Sequence, residues 1–208
     1  MRWRDPLRGA VRADAGAQGA ALHWPRTLGA KGPGALRPEH LRHQPAAARP
    51  SRLHLLLLDT SGSMRRQGRL ARAKGCAAWL MAQAARGGDE VAVLGFGGQG
   101  LQWLLRPGPA RRAASRRVAP LGGGGGTPLA EALACADAAL QAARRRDGRT
   151  DTWLWLLTDG RSPDRPAGPA WARHIVVVDH DDPLSPAGRC ADWAARWGAR
   201  HVHPTPEP

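Results

Sequence analysis

Tyrosine is missing from this 208-residue chain, phenylalanine occurs once, and Lys31 and Lys74 are its only lysines. The formal net charge of +14 is therefore carried almost wholly by arginine. With Ala, Gly, Pro and Trp also abundant, the charge belongs to a composition skew that runs through the whole chain. No recognition motif accompanies it, so a dedicated nucleic-acid surface is not expected. Cysteine is scarce as well. Cys76, Cys135 and Cys190 lie far apart without paired spacing, which argues against a disulfide framework or a zinc site. Each falls in an expected helix and reads as a small buried apolar residue. No stretch approaches the ~20 apolar residues of a membrane-spanning helix, and the basic amino terminus has no apolar leader segment. The expectation is a cytoplasmic protein without a membrane role. No Gly-Lys-Ser/Thr phosphate loop and no Gly-x-Ser-x-Gly nucleophile elbow occur, so neither ATP hydrolysis nor serine hydrolase chemistry is expected of this chain alone.

What is present centres on Leu53-His54-Leu55-Leu56-Leu57-Leu58-Asp59-Thr60-Ser61-Gly62-Ser63-Met64. A short apolar run bounded by a polar turn fits a strand buried on both faces of a parallel sheet. Open α/β sheets bind ligands at the carboxyl ends of their strands, where Asp59, Ser61 and Ser63 fall. A carboxylate with hydroxyls is a hard-oxygen set, suited to Mg2+ rather than to a soft metal.

Around this stretch the chain alternates strands with helices. Residues 1–50 form a basic arm rich in Pro, Gly and Ala, with ordered pieces expected near Ala21–Leu28 and Leu36–Arg42. A domain of residues 51–204 and a tail of 205–208 follow. Arg65–Arg86 reads as one long helix stopped by Gly87-Gly88. Glu90–Phe96 and Leu101–Leu105 read as strands, joined by a glycine-rich link into an antiparallel hairpin at the sheet edge. Pro109–Val118 reads as a short basic helix. Five glycines, Gly122–Gly126, precede Thr127-Pro128 and a helix with an apolar face of Leu129, Leu133, Ala136, Leu140 and Ala143. Thr127 reads equally as the cap of that helix. Thr152–Thr158 is a second buried strand that stops at a carboxylate, Asp159. His174–Asp179 is another strand, Ser185–Trp197 a helix and Arg200–His203 a last short strand. His180-Asp181-Asp182 reads as a solvated loop, and His201 and His203 as surface histidines. The outcome is a doubly wound, mostly parallel α/β sheet flanked by helices.

Three separated pieces together, Asp59-x-Ser61-x-Ser63, Thr127 after the glycine loop, and Thr158-Asp159-Gly160, resemble the metal-ion-dependent adhesion site of von Willebrand factor A (vWA) domains. The resemblance covers roughly residues 53–203. It implies strand order 3-2-1-4-5-6, with Asp59, Ser61, Ser63, Thr127 and Asp159 as ligands of Mg2+, or of Mn2+ in its place. It also implies an open metal position that takes a carboxylate from a partner protein.

Leu57–Met64, Ala73-Lys74-Gly75, Gly123–Leu129 and Leu157–Arg161 are similar, more closely, to the C-terminal vWA domain of the magnesium chelatase D subunit. Val176–Asp179 and Ala191–Gly198 continue the likeness, as do Arg26–Leu28 and Leu36–Arg42 more weakly. This resemblance implies a non-catalytic subunit of a chelatase that inserts magnesium or cobalt into a tetrapyrrole. Its partners would be an AAA+ ATPase and a large tetrapyrrole-binding subunit. An adaptor for a MoxR-type AAA+ chaperone that matures another metalloenzyme would use the same site. The chain departs from the D subunit in having no AAA+-like half and no acidic, proline-rich linker.

Overall fold

The computed structural model describes residues 22–42, 51–110, 128–182 and 188–204. Six strands form one sheet in the order β3-β2-β1-β4-β5-β6. They are β1 (Arg52–Asp59), β2 (Glu90–Gly97), β3 (Gly100–Pro109), β4 (Asp151–Thr158), β5 (His174–Asp179) and β6 (Arg200–Val202). All neighbours pair in parallel except β2 and β3, which form the antiparallel hairpin expected at the edge. The doubly wound fold and the strand order are thus as expected. Central β1 is fully buried from Leu55 to Leu58, as its unbroken leucine run requires.

Side chains alternate across the sheet, so each strand feeds two cores. Leu53, Leu55 and Leu57 join Leu154, Leu156 and Val177 on the face covered by α3 (Leu129–Arg146) and α4 (Cys190–Trp197). All five apolar positions expected on α3 are buried there. Leu56 and Leu58 point the other way, towards α2 (Arg69–Gly87), which buries Ala73, Cys76, Ala77, Leu80, Met81 and Ala84. Burial pushes the Cys76 thiol up to about 12 and raises Cys190 further, so both behave as inert apolar residues. Cys135 is only half-buried.

Two helices begin later than the apolar period implies. The helix expected from Arg65 starts at Arg69, after a 3-10 segment, Ser63–Gly68. Arg66 is extended and Gln67 and Gly68 are left-handed (φ 54° and 69°), so the chain turns before the helix can propagate. Gly88, at φ 71°, supplies the expected stop. The helix expected from Ser185 starts at Cys190. Ser185 and Pro186 lie outside the described residues. Gly188 is not helical, because its N–H donates to Asp181 Oδ2 (2.9 Å) and it abuts the Asp159 carbonyl too closely for a Cβ. Helix α3 starts at Leu129, with Pro128 (ψ 65°) still outside it. The basic helix expected over Pro109–Val118 falls almost wholly outside the described residues, and its first residue, Pro109, ends β3 instead. The five-glycine loop also lies outside them.

Residues 22–42 belong to a separate unit. There α1 (Trp24–Lys31) is capped by His23, whose Nδ1 accepts from the Arg26 N–H (3.1 Å). Thr27 is buried, and its hydroxyl both accepts from Arg42 N–H (2.9 Å) and donates to Arg42 C=O (3.2 Å), tying the two ordered pieces together. Pro38 leaves Arg37 extended and opens a single 3-10 turn, in keeping with the restriction proline places on the residue before it.

Leu55 sits at the centre of β1 with no exposed surface. Leu55→Ala is expected to cost about 2–5 kcal/mol by leaving a cavity that the flanking helices cannot close. Urea denaturation measures it, and a cost under about 1 kcal/mol would show that this layer is not tightly packed.

Candidate metal centre

Three strands end in carboxylates at the same edge of the sheet. Asp59 ends β1, Asp159 follows β4 and Asp179 ends β5. The parallel register places Leu58 beside Leu157 and Thr158 beside Asp179, which brings these strand ends together. Asp59, Asp159 and Asp179 are all buried, so each carboxylate needs compensation.

For Asp59 that compensation is local. One carboxylate oxygen, Oδ1, accepts the Ser61 N–H (2.8 Å) in an Asx turn, and Oδ2 accepts the Thr158 hydroxyl (2.5 Å). Burial holds the Asp59 carboxyl above its usual range; the hydrogen bonds from Thr158 and Ser61 oppose this, and nearby Asp159 reinforces it. The turn aims Ser61 Oγ at Ser63 Oγ (3.1 Å), and Ser63 Oγ donates to Asp159 Oδ1 (3.1 Å). A chain of oxygens thus runs from the end of β1 to the end of β4. Strand β2 presses on this turn from the side. A Cβ added at Gly97 would lie 2.5 Å from Thr60 Oγ1 and 3.1 Å from Ser61 N, so only glycine fits.

The other oxygen of Asp159 faces cations of the protein itself. Arg69, the first residue of α2, is buried, and its Nη1 donates to Asp159 Oδ2 (3.3 Å). Its Nη2 pairs with Asp181 Oδ1 (3.3 Å) and donates to Gln67 Oε1 (2.9 Å). Arg161 makes the same bridge from the exposed side, with Nε 3.6 Å from Asp159 Oδ2 and Nη2 3.0 Å from Asp181 Oδ1. Asp181 is therefore a buried hinge between two arginines, not part of a solvated loop as its sequence context implies. His180 beside it is also buried, and burial pushes its imidazole down to about 3, so the ring is neutral.

Four of the five residues expected at the site, Asp59, Ser61, Ser63 and Asp159, are brought together. Thr127 lies outside the described residues. The arginine–carboxylate layer beneath them was not foreseen. A signal for it existed: Arg69 lies one turn before Ala73, on the apolar stripe of α2, where a guanidinium needs a buried acid. Asp181, two residues past a strand that ends like β1 and β4, is the acid that answers it.

Removing Arg69 takes away the buried cation that bridges Asp159 and Asp181. Arg69→Met is expected to cost on the order of 3 kcal/mol in urea denaturation with EDTA present. A cost below about 1 kcal/mol would mean that the remaining partners of the two acids, Arg161 among them, compensate for its loss.

Comparison with known proteins places this geometry in context. A model of the von Willebrand factor type A domain matches residues 54–161. Over 184 residues the chain is 36% identical to an uncharacterized protein of Mycobacterium tuberculosis, covering 81% of this chain and 29% of that one. Over 126 residues it is 40% identical to the magnesium-chelatase 60 kDa subunit of Cereibacter sphaeroides, covering 61% of this chain and 22% of the subunit. The magnesium-chelatase 67 kDa subunit of Chlorobaculum tepidum is 37% identical over 130 residues, covering 62% and 20%. The chain spans less than a third of the length of these relatives.

Among solved structures, a von Willebrand factor type A protein from Catenulispora acidiphila superposes with a TM-score of 0.56 at 20% identity, covering 76% of this chain and 39% of that one. Manganese-loaded TRAP protein of Plasmodium vivax gives 0.55 at 14% identity, covering 74% and 68%. At such identities the likeness is one of fold. The match over more than half of the chain, on a sheet of this order, makes the protein a member of the von Willebrand factor type A domain family.

Proposed function

We propose that the oxygen cluster at the ends of β1 and β4 holds Mg2+, with Mn2+ as a substitute, and that the bound ion docks a partner protein. The observation that carries this reading is the spacing of the donors. An octahedral ion with ~2.0–2.1 Å bonds holds adjacent oxygens about 2.9–3.0 Å apart. Ser61 Oγ and Ser63 Oγ are 3.1 Å apart, and so are Ser63 Oγ and Asp159 Oδ1. Both spacings are close to those of adjacent positions in such a shell.

Ser61 and Ser63 would bind directly, as neutral ligands that leave most of the ion's charge uncompensated. Asp159 would offer Oδ1, since Arg69 and Arg161 hold Oδ2. Asp59 accepts hydrogen bonds at both oxygens, so it would act through water while orienting Ser61. Thr127 is the proposed fifth ligand. A cation held by few negative charges attracts a further carboxylate, which a partner's Asp or Glu would supply. A bound magnesium ion would supply this electrostatic link, and the residues of the chain would fix its position. None of the residues gathered here forms a nucleophile–base pair, and the role is that of a binding subunit.

The similarity to magnesium-chelatase subunits supports a more specific setting. In it, the chain is a non-catalytic, cytoplasmic subunit of an ATP-dependent chelatase that inserts magnesium or cobalt into a tetrapyrrole. An AAA+ ATPase and a large tetrapyrrole-binding subunit would be its partners. The vWA domain would comprise residues 51–204, with residues 1–50 as an arm joined to it.

A pull-down from native cells, with Mg2+ and again with EDTA, tests both levels. Recovery of an AAA+ ATPase and a large tetrapyrrole-binding protein, lost with EDTA and lost in Asp59→Ala or Ser61→Ala/Ser63→Ala variants of unchanged circular dichroism, is the expected result. Partners retained in EDTA would overturn the metal-dependent docking. An AAA+ protein recovered with an unrelated metalloenzyme would replace the chelatase setting by that of a chaperone adaptor.

A further inference from the structure

A second cluster of metal-ligating side chains stands at the same sheet edge, on β5 and β6. Its placement follows from strand geometry. Val178 pairs with Val202, so Asp179 and His203 leave the two strands side by side. His201 and His203 lie two residues apart and share one face, as do Val177 and Asp179. Because Val177 pairs with His201, these are the same face. One carboxylate and two imidazoles therefore converge. One ligand atom from each of Asp179, His201 and His203 lies within 4.8 Å of the others.

We infer that Asp179, His201 and His203 form a separate site for a borderline transition-metal ion, Zn2+ being the representative case. The donor chemistry separates it from the serine-rich cluster: two imidazoles and one carboxylate favour zinc, nickel or copper over magnesium. The first ligand is already oriented. Asp179 Oδ1 accepts the Asp181 N–H (2.9 Å), which leaves Oδ2 directed at His201 Nε2, 2.9 Å away. Hydrogen bonds of this kind fix the ligands of metal sites. A tetrahedral ion with ~2.0–2.1 Å bonds holds its ligands about 3.3 Å apart, so ligand atoms now within 4.8 Å of one another need a further closing movement. His203 is free to make it, being exposed and past the end of β6. Its ring meets His201 edge-on, with centroids 4.9 Å apart.

The hydrogen bond between Asp179 and His201 would by itself need no second histidine. His203 is what turns an acid–imidazole pair into a three-ligand set. Three protein ligands leave a fourth tetrahedral position, which water or a group from another molecule would fill. Strand β6 is the last in the sheet, with β5 as its one neighbour among the described residues.

Calorimetric titration of the full, untagged chain with Zn2+ in excess Mg2+ tests the assignment. One equivalent is expected to bind, about tenfold or more weaker in His203→Ala, where an exposed side chain is removed without threat to the fold. His201→Gln is expected to weaken it similarly, and Asp59→Ala to leave it unchanged. Absence of Zn2+ binding, or equal binding in the wild type and His203→Ala, would overturn the site. Loss in Asp59→Ala would assign the Zn2+ to the serine-rich cluster and overturn it equally.

Discussion

Everything at the working edge of this domain depends on keeping acids buried at the ends of apolar strands. Asp59, Asp159, Asp179 and Asp181 all lie under the surface, beside a core of leucine, valine and tryptophan. An isolated carboxylate there would cost several kcal/mol or take up a proton. The chain meets that cost in two ways. Asp59 is satisfied by a backbone N–H and a hydroxyl, which fixes the Ser61 and Ser63 turn. Asp159 and Asp181 are satisfied by Arg69 and Arg161, which fix the opposite wall. The gap between the two walls is lined by Ser61 Oγ, Ser63 Oγ and Asp159 Oδ1.

This division of labour bears on how a cation would be held there. Arginine at one oxygen of Asp159 both positions the carboxylate and drains some of its charge. The proposed ligands are therefore weak donors around a strongly charged ion, which favours an additional acid from outside. Membership of the von Willebrand factor type A family agrees with the fold, while the chelatase setting rests on similarity over part of much longer relatives.

Much of this was legible in the chain. The leucine run of β1 is legible from its length and its polar boundary, the strand end at Asp159 from its likeness to Asp59, and α3 from its apolar stripe. Helix starts were not legible. Arg65 and Arg66 are good helix formers just before the apolar stripe that starts at Leu70, yet left-handed Gln67 and Gly68 break the backbone in a way side-chain pattern does not report. Arg69 and Asp181 were missed because each sits among charged neighbours that look solvated, and only tertiary contact separates a buried ion pair from an exposed one. His201 and His203 were visible as a same-face pair, but their third neighbour, Asp179, comes from strand register, which the sequence does not spell out.

Whether the oxygen cluster between β1 and β4 takes a divalent cation is decided by a crystal structure of the chain grown with Mn2+, with anomalous differences measured at a wavelength where manganese scatters. An anomalous peak is expected within coordination distance of Ser61 Oγ and Ser63 Oγ, with Arg69 still on the far oxygen of Asp159. A well-ordered cluster without that peak, its serines still hydrogen-bonded to each other and to Asp159, would contradict cation binding there.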